Sequence, residues 1–266
     1  MKKYGLIGYP LGHSFSAGFF AEKFAKESID ARYDNYEMPS VEGLRALIES
    51  DSELCGLNVT IPHKQAVIPL LDDLSEGARS IGAVNVIRIE RTADTAVAEK
   101  DAAEVQQTQS IRLIGCNSDI IGFTESIRPL LKPHHTKALV LGTGGASKAV
   151  VAGLRQLGIT PTYVSRRAAE GQLTYEDFKN ISRARNIIEE YSVIVNCSPV
   201  GMHPHNDEAP AIPYELLTPR HLLYDLVYNP LETRFMQLGR QQGATVKNGL
   251  EMLHRQAIAA WEMWNM

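Results

Sequence analysis

The chain has 266 residues, 44% of them hydrophobic, and its 27 Lys+Arg against 31 Asp+Glu leave a formal net charge of -4. That length supports one large or two modest domains with a full core, and so mild a charge argues against a nucleic-acid partner held by phosphate neutralisation. No apolar run is long enough for a membrane span, Pro10, Gly12 and His13 break the stretch that a signal peptide would need, and Cys55, Cys116 and Cys197 lack any CxxC spacing, which fits core residues in a reducing, cytoplasmic setting rather than a disulfide or metal site.

In chain order, residues 4–8 read as a first strand, followed by a turn over 9–13. Ser14-Phe15-Ser16 leads into a helix with Phe15, Phe19, Phe20 and Phe24 on one face. One of the two serines suits a helix N-cap; two hydroxyls at i and i+2 beside a strand end equally suit a polyhydroxylated ligand. Residues 33–38 read as a strand and 41–48 as a helix.

The organising stretch is Asn58-Val59-Thr60-Ile61-Pro62-His63-Lys64, preceded by the short apolar run 54–57. Pro62 pre-sets φ for a helix continuing to 68. Strand, polar corner, proline and helix is how open α/β sheets deliver side chains to a crevice at the carboxyl ends of their strands. Asn58 and Thr60, two apart, share a side on an extended chain. Lys64 falls in the predicted first helical turn, where the macrodipole opposes an ammonium and favours acid–base use. A capped helix start with a solvated lysine explains Thr60 and Pro62 as well.

A short helix follows over 76–81, then a strand over 83–87 with Asn85 as a lone polar residue, which faces a pocket or satisfies a neighbouring backbone. Residues 91–109, rich in Thr, Ala, Asp, Glu and Gln, read as a hairpin excursion or mobile loop without chemistry. Strand character returns over 110–116. Asp119 then stands before a helix over 120–131, either as its cap or as a carboxylate that orients Lys64. A domain boundary is placed here, and His134 and His135 read as surface loop residues.

The run 138–141 is a buried strand leading into Gly142-Thr143-Gly144-Gly145-Ala146-Ser147 and an apolar helix over 149–157. Strand before and helix after make this glycine turn more than a bare pattern. Its glycines allow a pyrophosphate to approach at the helix N-terminus. The third position of G-x-G-x-x-G is Ser147, still small. The next strand, 161–164, ends in Ser165-Arg166-Arg167 where an NAD fold places an acid for the ribose hydroxyl. Two guanidiniums there suit a 2′-phosphate, so the cofactor is inferred to be NADP rather than NAD. The plainer alternative is the start of a solvated loop. Strands over 193–196 and 222–228 end in turn-formers near the cofactor. Helices are predicted over 231–240 and 249–264, with Gln256 either exposed or reaching the substrate.

Taken together, the blocks 8–16, 58–64, 81–85, 117–119, 142–147, 198–202, 225–230 and 248–250 resemble the shikimate dehydrogenase family, in order and over nearly the whole length except 91–109. Ser118 replaces the family's usual threonine, and Ser165-Arg166-Arg167 replaces Asn-Arg-Thr while keeping the central arginine. The resemblance implies an α/β protein with an N-terminal substrate domain (1–117 plus 249–266) and a C-terminal NADP-binding Rossmann domain (118–248), a cleft lying between them. It implies reversible reduction of 3-dehydroshikimate to shikimate in chorismate and aromatic amino acid biosynthesis. The matching catalytic pair is Lys64 and Asp119. The matching substrate positions are Ser14, Ser16, Asn58, Thr60, Asn85, Tyr228 and Gln256, the serines meeting the carboxylate. The matching cofactor positions are Glu76, Gly142, Thr143, Gly144, Gly145, Ala146, Ser147, Ser165, Arg166, Arg167, Met202, Leu226 and Gly249. Expected partners are the small-molecule substrate alone, with no nucleic acid or membrane, in a monomer or homodimer. The alternatives are a dehydrogenase that also takes quinate or NAD, and a non-catalytic nucleotide sensor on the same fold.

Overall fold

The computed structural model describes residues 1–12, 15–93 and 109–266, which form two compact units: Met1–Asn117 with Ala260–Met266, and Ser118–Ala259. The sequence expectation assigned all of 249–266 to the first unit; the division here falls inside the last helix.

The first unit contains β1 (Lys2–Gly8), α1 (Phe15–Lys26), β2 (Ala31–Glu37), α2 (Leu44–Ser50), β3 (Leu54–Val59), β4 (Asp73–Leu74), α3 (Glu76–Ile81), β5 (Val86–Ala93) and β6 (Gln109–Cys116). Its sheet runs β2-β1-β3-β5-β6-β4. β1 is parallel to β2 and β3, whereas β5 is antiparallel to β3 and β6. Alternation along the strands sorts the core. Ile7, Leu57 and Val59 pack with Leu44, Ile48 and Ala78. Tyr4 and Gly56, at alternate positions, serve the other face, where Tyr4 lies 4.8 Å from Trp264 and 5.3 Å from Trp261. β5 and β6 flank the predicted excursion as paired antiparallel strands; residues 94–108 within it lie outside the described residues.

The second unit contains α4 (Asp119–Ile127), β7 (Lys137–Leu141), α5 (Gly145–Gln156), β8 (Thr160–Ser165), β9 (Leu173–Thr174), α6 (Ile181–Glu190), β10 (Val193–Asn196), β11 (Leu222–Asp225), α7 (Arg234–Gln241), β12 (Thr245–Lys247) and most of α8 (Leu250–Trp264). Its sheet is parallel throughout, in the order β12-β11-β10-β7-β8-β9. The chain moves outward from β7 to β9 and then returns to β10 on the other side of β7. That reversal between β7 and β10 is the switch point where doubly wound sheets take ligands. β10 and β11 are buried at every residue, as strands covered on both faces must be. One core holds Leu139, Ile194 and Leu223; the opposite one holds Val140, Val195 and Tyr224 with Phe123 of α4 and Met252 of α8.

Several local expectations differ from the structure. Residues 61–67 form turns followed by a 3-10 helix (Ile68–Leu70), not the helix predicted from Pro62. Pro69 has no N–H to return to the Gln65 carbonyl and disfavours helical geometry at Ile68. The Ile68 N–H instead reaches Gln65 at 3.2 Å, and the Lys64 carbonyl accepts the Val84 N–H at 2.7 Å. α4 ends at Ile127 before a 3-10 turn containing Pro129. Asn85 is a bend preceding β5 rather than a residue within the strand. β11 stops at Asp225, and α7 starts at Arg234 behind the Thr233 cap. His135 is buried, not a surface residue: its Nδ1 accepts the Lys132 N–H, and both His134 and His135 hydrogen-bond the Arg220 carbonyl through Nε2.

Candidate functional site

In the first unit the polar residues gather where β3 ends and β5 begins. Asn58, the penultimate residue of β3, is buried. Its Oδ1 accepts the Tyr33 hydroxyl at 2.8 Å, and its Nδ2 donates to the Asn85 carbonyl at 3.3 Å. Asn85 is buried too, with its N–H on Cys116, while Asn117 Nδ2 donates to the Ala83 carbonyl. Thr60 and Lys64 follow at half-buried positions, and the Thr60 N–H is anchored on Ile7. Ser16 is the second residue of α1, so it is not the cap of that helix; Ser14 lies outside the described residues.

Tyr33 is the residue that sequence reasoning missed. Its ring stacks on Phe20 at 4.8 Å, and its hydroxyl joins Ser16 to Asn58. Burial pushes its phenol upward, with the Ser16 hydrogen bond opposing. The available signal was a tyrosine among polar neighbours in an otherwise half-exposed strand. The structure thus brings Ser16, Asn58 and Asn85 into one network through Tyr33. Glu76 stands apart from that network, exposed in the first turn of α3.

In the second unit Asp119 is the first residue of α4 and is buried, with Ser118 rather than Asp119 at the N-cap. Ser118 Oγ donates to Gln256 Oε1 at 3.3 Å, so Gln256 is buried beside the start of α4 rather than exposed. Gly122 permits this approach, since a Cβ there would lie 3.0 Å from that of Gln256. By contact, Gln256 therefore belongs with Ser118 in the second unit, whereas Lys64 belongs to the first.

The glycine turn lies at the switch point. Gly142 has φ +106°, a conformation that favours glycine. A Cβ on Gly142 would only touch the backbone of Cys197 and Ser198 at 3.4 Å, so its positive φ is what calls for glycine, and one on Gly144 would meet open space. Thr143 and Gly144 are exposed, and Gly145 and Ala146 begin the 12-residue α5. Ser147 is buried and donates to the Gly144 carbonyl at 2.7 Å, which fixes the turn. Open backbone at a long helix N-terminus is the chemistry that holds a dinucleotide pyrophosphate, so this cradle fits one.

At the end of β8, Ser165 Oγ accepts the Arg167 N–H and donates back to the Arg167 carbonyl, shaping a turn that leaves Arg166 and Arg167 exposed. The opposite side of the switch point is tied by hydrogen bonds. Leu226 N–H reaches Asn196, Gly249 N–H reaches Val227 at 3.2 Å, and His203 N–H reaches Asn229 at 3.1 Å. A Cβ on Gly249 would come within 2.2 Å of the Leu226 carbonyl, so only glycine allows this approach. Met202 and Tyr228 are exposed on these loops.

Residues 6–87 match the family model described as the shikimate dehydrogenase substrate binding domain. A shikimate dehydrogenase (NADP(+)) of Methanosphaera stadtmanae is 34% identical over 98% of this chain and 90% of its own length. Among solved structures, a chorismate mutase/shikimate 5-dehydrogenase fusion protein from Clostridium acetobutylicum is 32% identical with a TM-score of 0.79, covering 99% of this chain and 91% of that one. The Thermus thermophilus shikimate 5-dehydrogenase in complex with NADP(H) and shikimate is 28% identical with a TM-score of 0.74, over 99% and 93%. A likeness at 34% identity that runs through both units is more than a shared nucleotide fold, and the chain belongs to the shikimate dehydrogenase family.

Proposed function

We propose that the chain is an NADP-dependent oxidoreductase that reversibly reduces 3-dehydroshikimate to shikimate. The observation that carries this reading is the pairing, in one chain, of the buried polar network around Asn58 with a glycine cradle at the switch point of a parallel sheet. The full-length relationship to enzymes named for this reaction supports it. Bound NADP would supply or accept the hydride.

This chain's residues then have to bind the ring and manage one proton. Hydride delivery to a ketone leaves alkoxide character on the oxygen. Lys64 donates the proton to that oxygen in reduction and takes it back in oxidation, with Asp119 supporting the charged lysine. Ser16, with Ser14, receives the substrate carboxylate; Asn58, Thr60, Asn85, Tyr228 and Gln256 receive the hydroxyls. The glycine turn of 142–147 takes the pyrophosphate. Arg166, with Ser165 and Arg167 beside it, takes the 2′-phosphate through charge-assisted hydrogen bonds. Met202, Leu226, Gly249 and, from the first unit, Glu76 complete the cofactor set. The reading describes a cytoplasmic enzyme of aromatic amino acid biosynthesis; among the described residues no helix is long and apolar enough to cross a membrane.

The test is the appearance of reduced nicotinamide absorbance with purified protein, shikimate and NADP, repeated with quinate and with NAD. Fast reduction with shikimate and NADP is expected. Comparable rates with quinate would widen the substrate class, and binding of NADPH without any turnover would overturn the enzymatic reading in favour of a nucleotide sensor.

A further inference from the structure

Asn196 and Asp225 end the neighbouring parallel strands β10 and β11, and the register sets them directly opposite each other. Both are fully buried. Asn196 Nδ2 donates to Asp225 Oδ1 at 2.9 Å. Each then organises the loop that leaves its own strand. Asn196 Oδ1 accepts both the N–H and the hydroxyl of Ser198, while Nδ2 also reaches the Val200 carbonyl at 3.3 Å. Asp225 Oδ1 accepts the Val227 N–H at 3.0 Å, and Oδ2 accepts the Thr233 hydroxyl at 2.6 Å. Thr233 in turn caps α7. Charged and polar groups so deeply buried are costly unless fully bonded. Such a network therefore allows few alternative arrangements of the two loops.

We propose that Asn196, Asp225 and Thr233 form a positioning latch that locks the 197–203 and 226–233 loops into one surface for the nicotinamide half of the cofactor. The inference rests on the NADP reading above and adds to it a division of labour. The glycine turn and Arg166 hold the adenine, 2′-phosphate and pyrophosphate end. The latch touches neither ligand nor reacting atoms; it holds Met202, Leu226 and Tyr228 where they are. The loops are also tied by backbone bonds, His203 to Asn229 and Gly249 to Val227, and at the far end of the second loop by Asn248 Nδ2 on the Leu231 carbonyl at 2.8 Å; the latch is the side-chain tie that joins the two strand ends from which both loops leave.

The prediction separates two ligands that share one end. NADPH has both halves; 2′,5′-ADP has only the adenine and phosphate end. Their dissociation constants are measured by fluorescence and calorimetry on the full-length chain. Thr233→Val and Asn196→Leu should weaken NADPH by about tenfold or more, the scale of losing a buried hydrogen bond to a charged group. Both variants should bind 2′,5′-ADP within about twofold of wild type, and Thr233→Ser, which keeps the hydroxyl, should restore NADPH binding. NADPH affinity unchanged in Thr233→Val would overturn the latch. So would a proportional loss of 2′,5′-ADP, which would mean general unfolding of the unit, or a Thr233→Ser variant as weak as Thr233→Val. Wild-type protein that bound neither ligand would overturn the cofactor reading, and the latch with it.

Discussion

In the proposed function, the chemistry rests on Lys64 and the cofactor choice on Arg166. Lys64→Ala should lower kcat by about 10²–10⁴, the usual worth of positioned acid–base catalysis; a loss under about tenfold would remove its assigned role. Arg166→Ala should raise KM for NADP far more than for NAD, because only NADP carries the 2′-phosphate. Equal losses would mean that Arg166 does not meet that group. Both residues were legible in the sequence as candidates, since a lysine after a strand end and arginines in place of the expected acid are local patterns. Tyr33 was not, because its hydrogen bond to Asn58 spans 25 positions and exists only once β2 and β3 flank β1.

At the scale of elements, close approaches replace propensity as the deciding force. Gly56 in β3 leaves room for the Trp264 ring of α8, whose Cδ1 would sit 2.3 Å from an added Cβ. Gly56→Ala should therefore destabilise the first unit by roughly 1–3 kcal/mol, the range for overpacking a filled core. Denaturant unfolding should show it, with the tryptophan fluorescence of Trp261 and Trp264 as the probe. The turn at 61–67 carries the complementary lesson. Pro62 signalled a helix start, yet Pro69 and the bond from Val84 to the Lys64 carbonyl hold the segment in turns. Lys64 is thereby placed by a tertiary backbone contact and not by a helix terminus.

For the whole molecule, the balance of buried ionisable groups sets how stability responds to pH. Burial raises Asp225 from 3.8 to about 6, against hydrogen bonds from Thr233, Val227 and Asn196 that lower it. A folded value above the unfolded one means that its contribution to stability is complete below 3.8 and is lost as pH rises through about 6. The buried carboxylate is thus a cost at neutral pH, of up to roughly 3 kcal/mol. Burial shifts His135 downward, the opposite case: its neutral form favours the fold, and that stability is lost as pH falls below the ordinary imidazole range. Comparing wild type with Asp225→Asn cancels the histidine. The variant's relative stability should be greatest near pH 8 and should shrink as pH drops through 6 toward 4. A difference independent of pH would mean that Asp225 does not titrate in this range.

The alternation of strands and helices, the glycine turn and its flanking elements, the arginines after β8 and the family are all written in contiguous residues whose spacing fixes local geometry. The mixed sheet of the first unit, the burial of His135 and the grouping of Gln256 with Ser118 arise only when distant segments pack. So does the pairing of Asn196 with Asp225 across 29 positions. The physical reason is common to these cases. Strand register and the packing of distant elements choose partners for buried polar groups, and no window of neighbouring residues contains that choice.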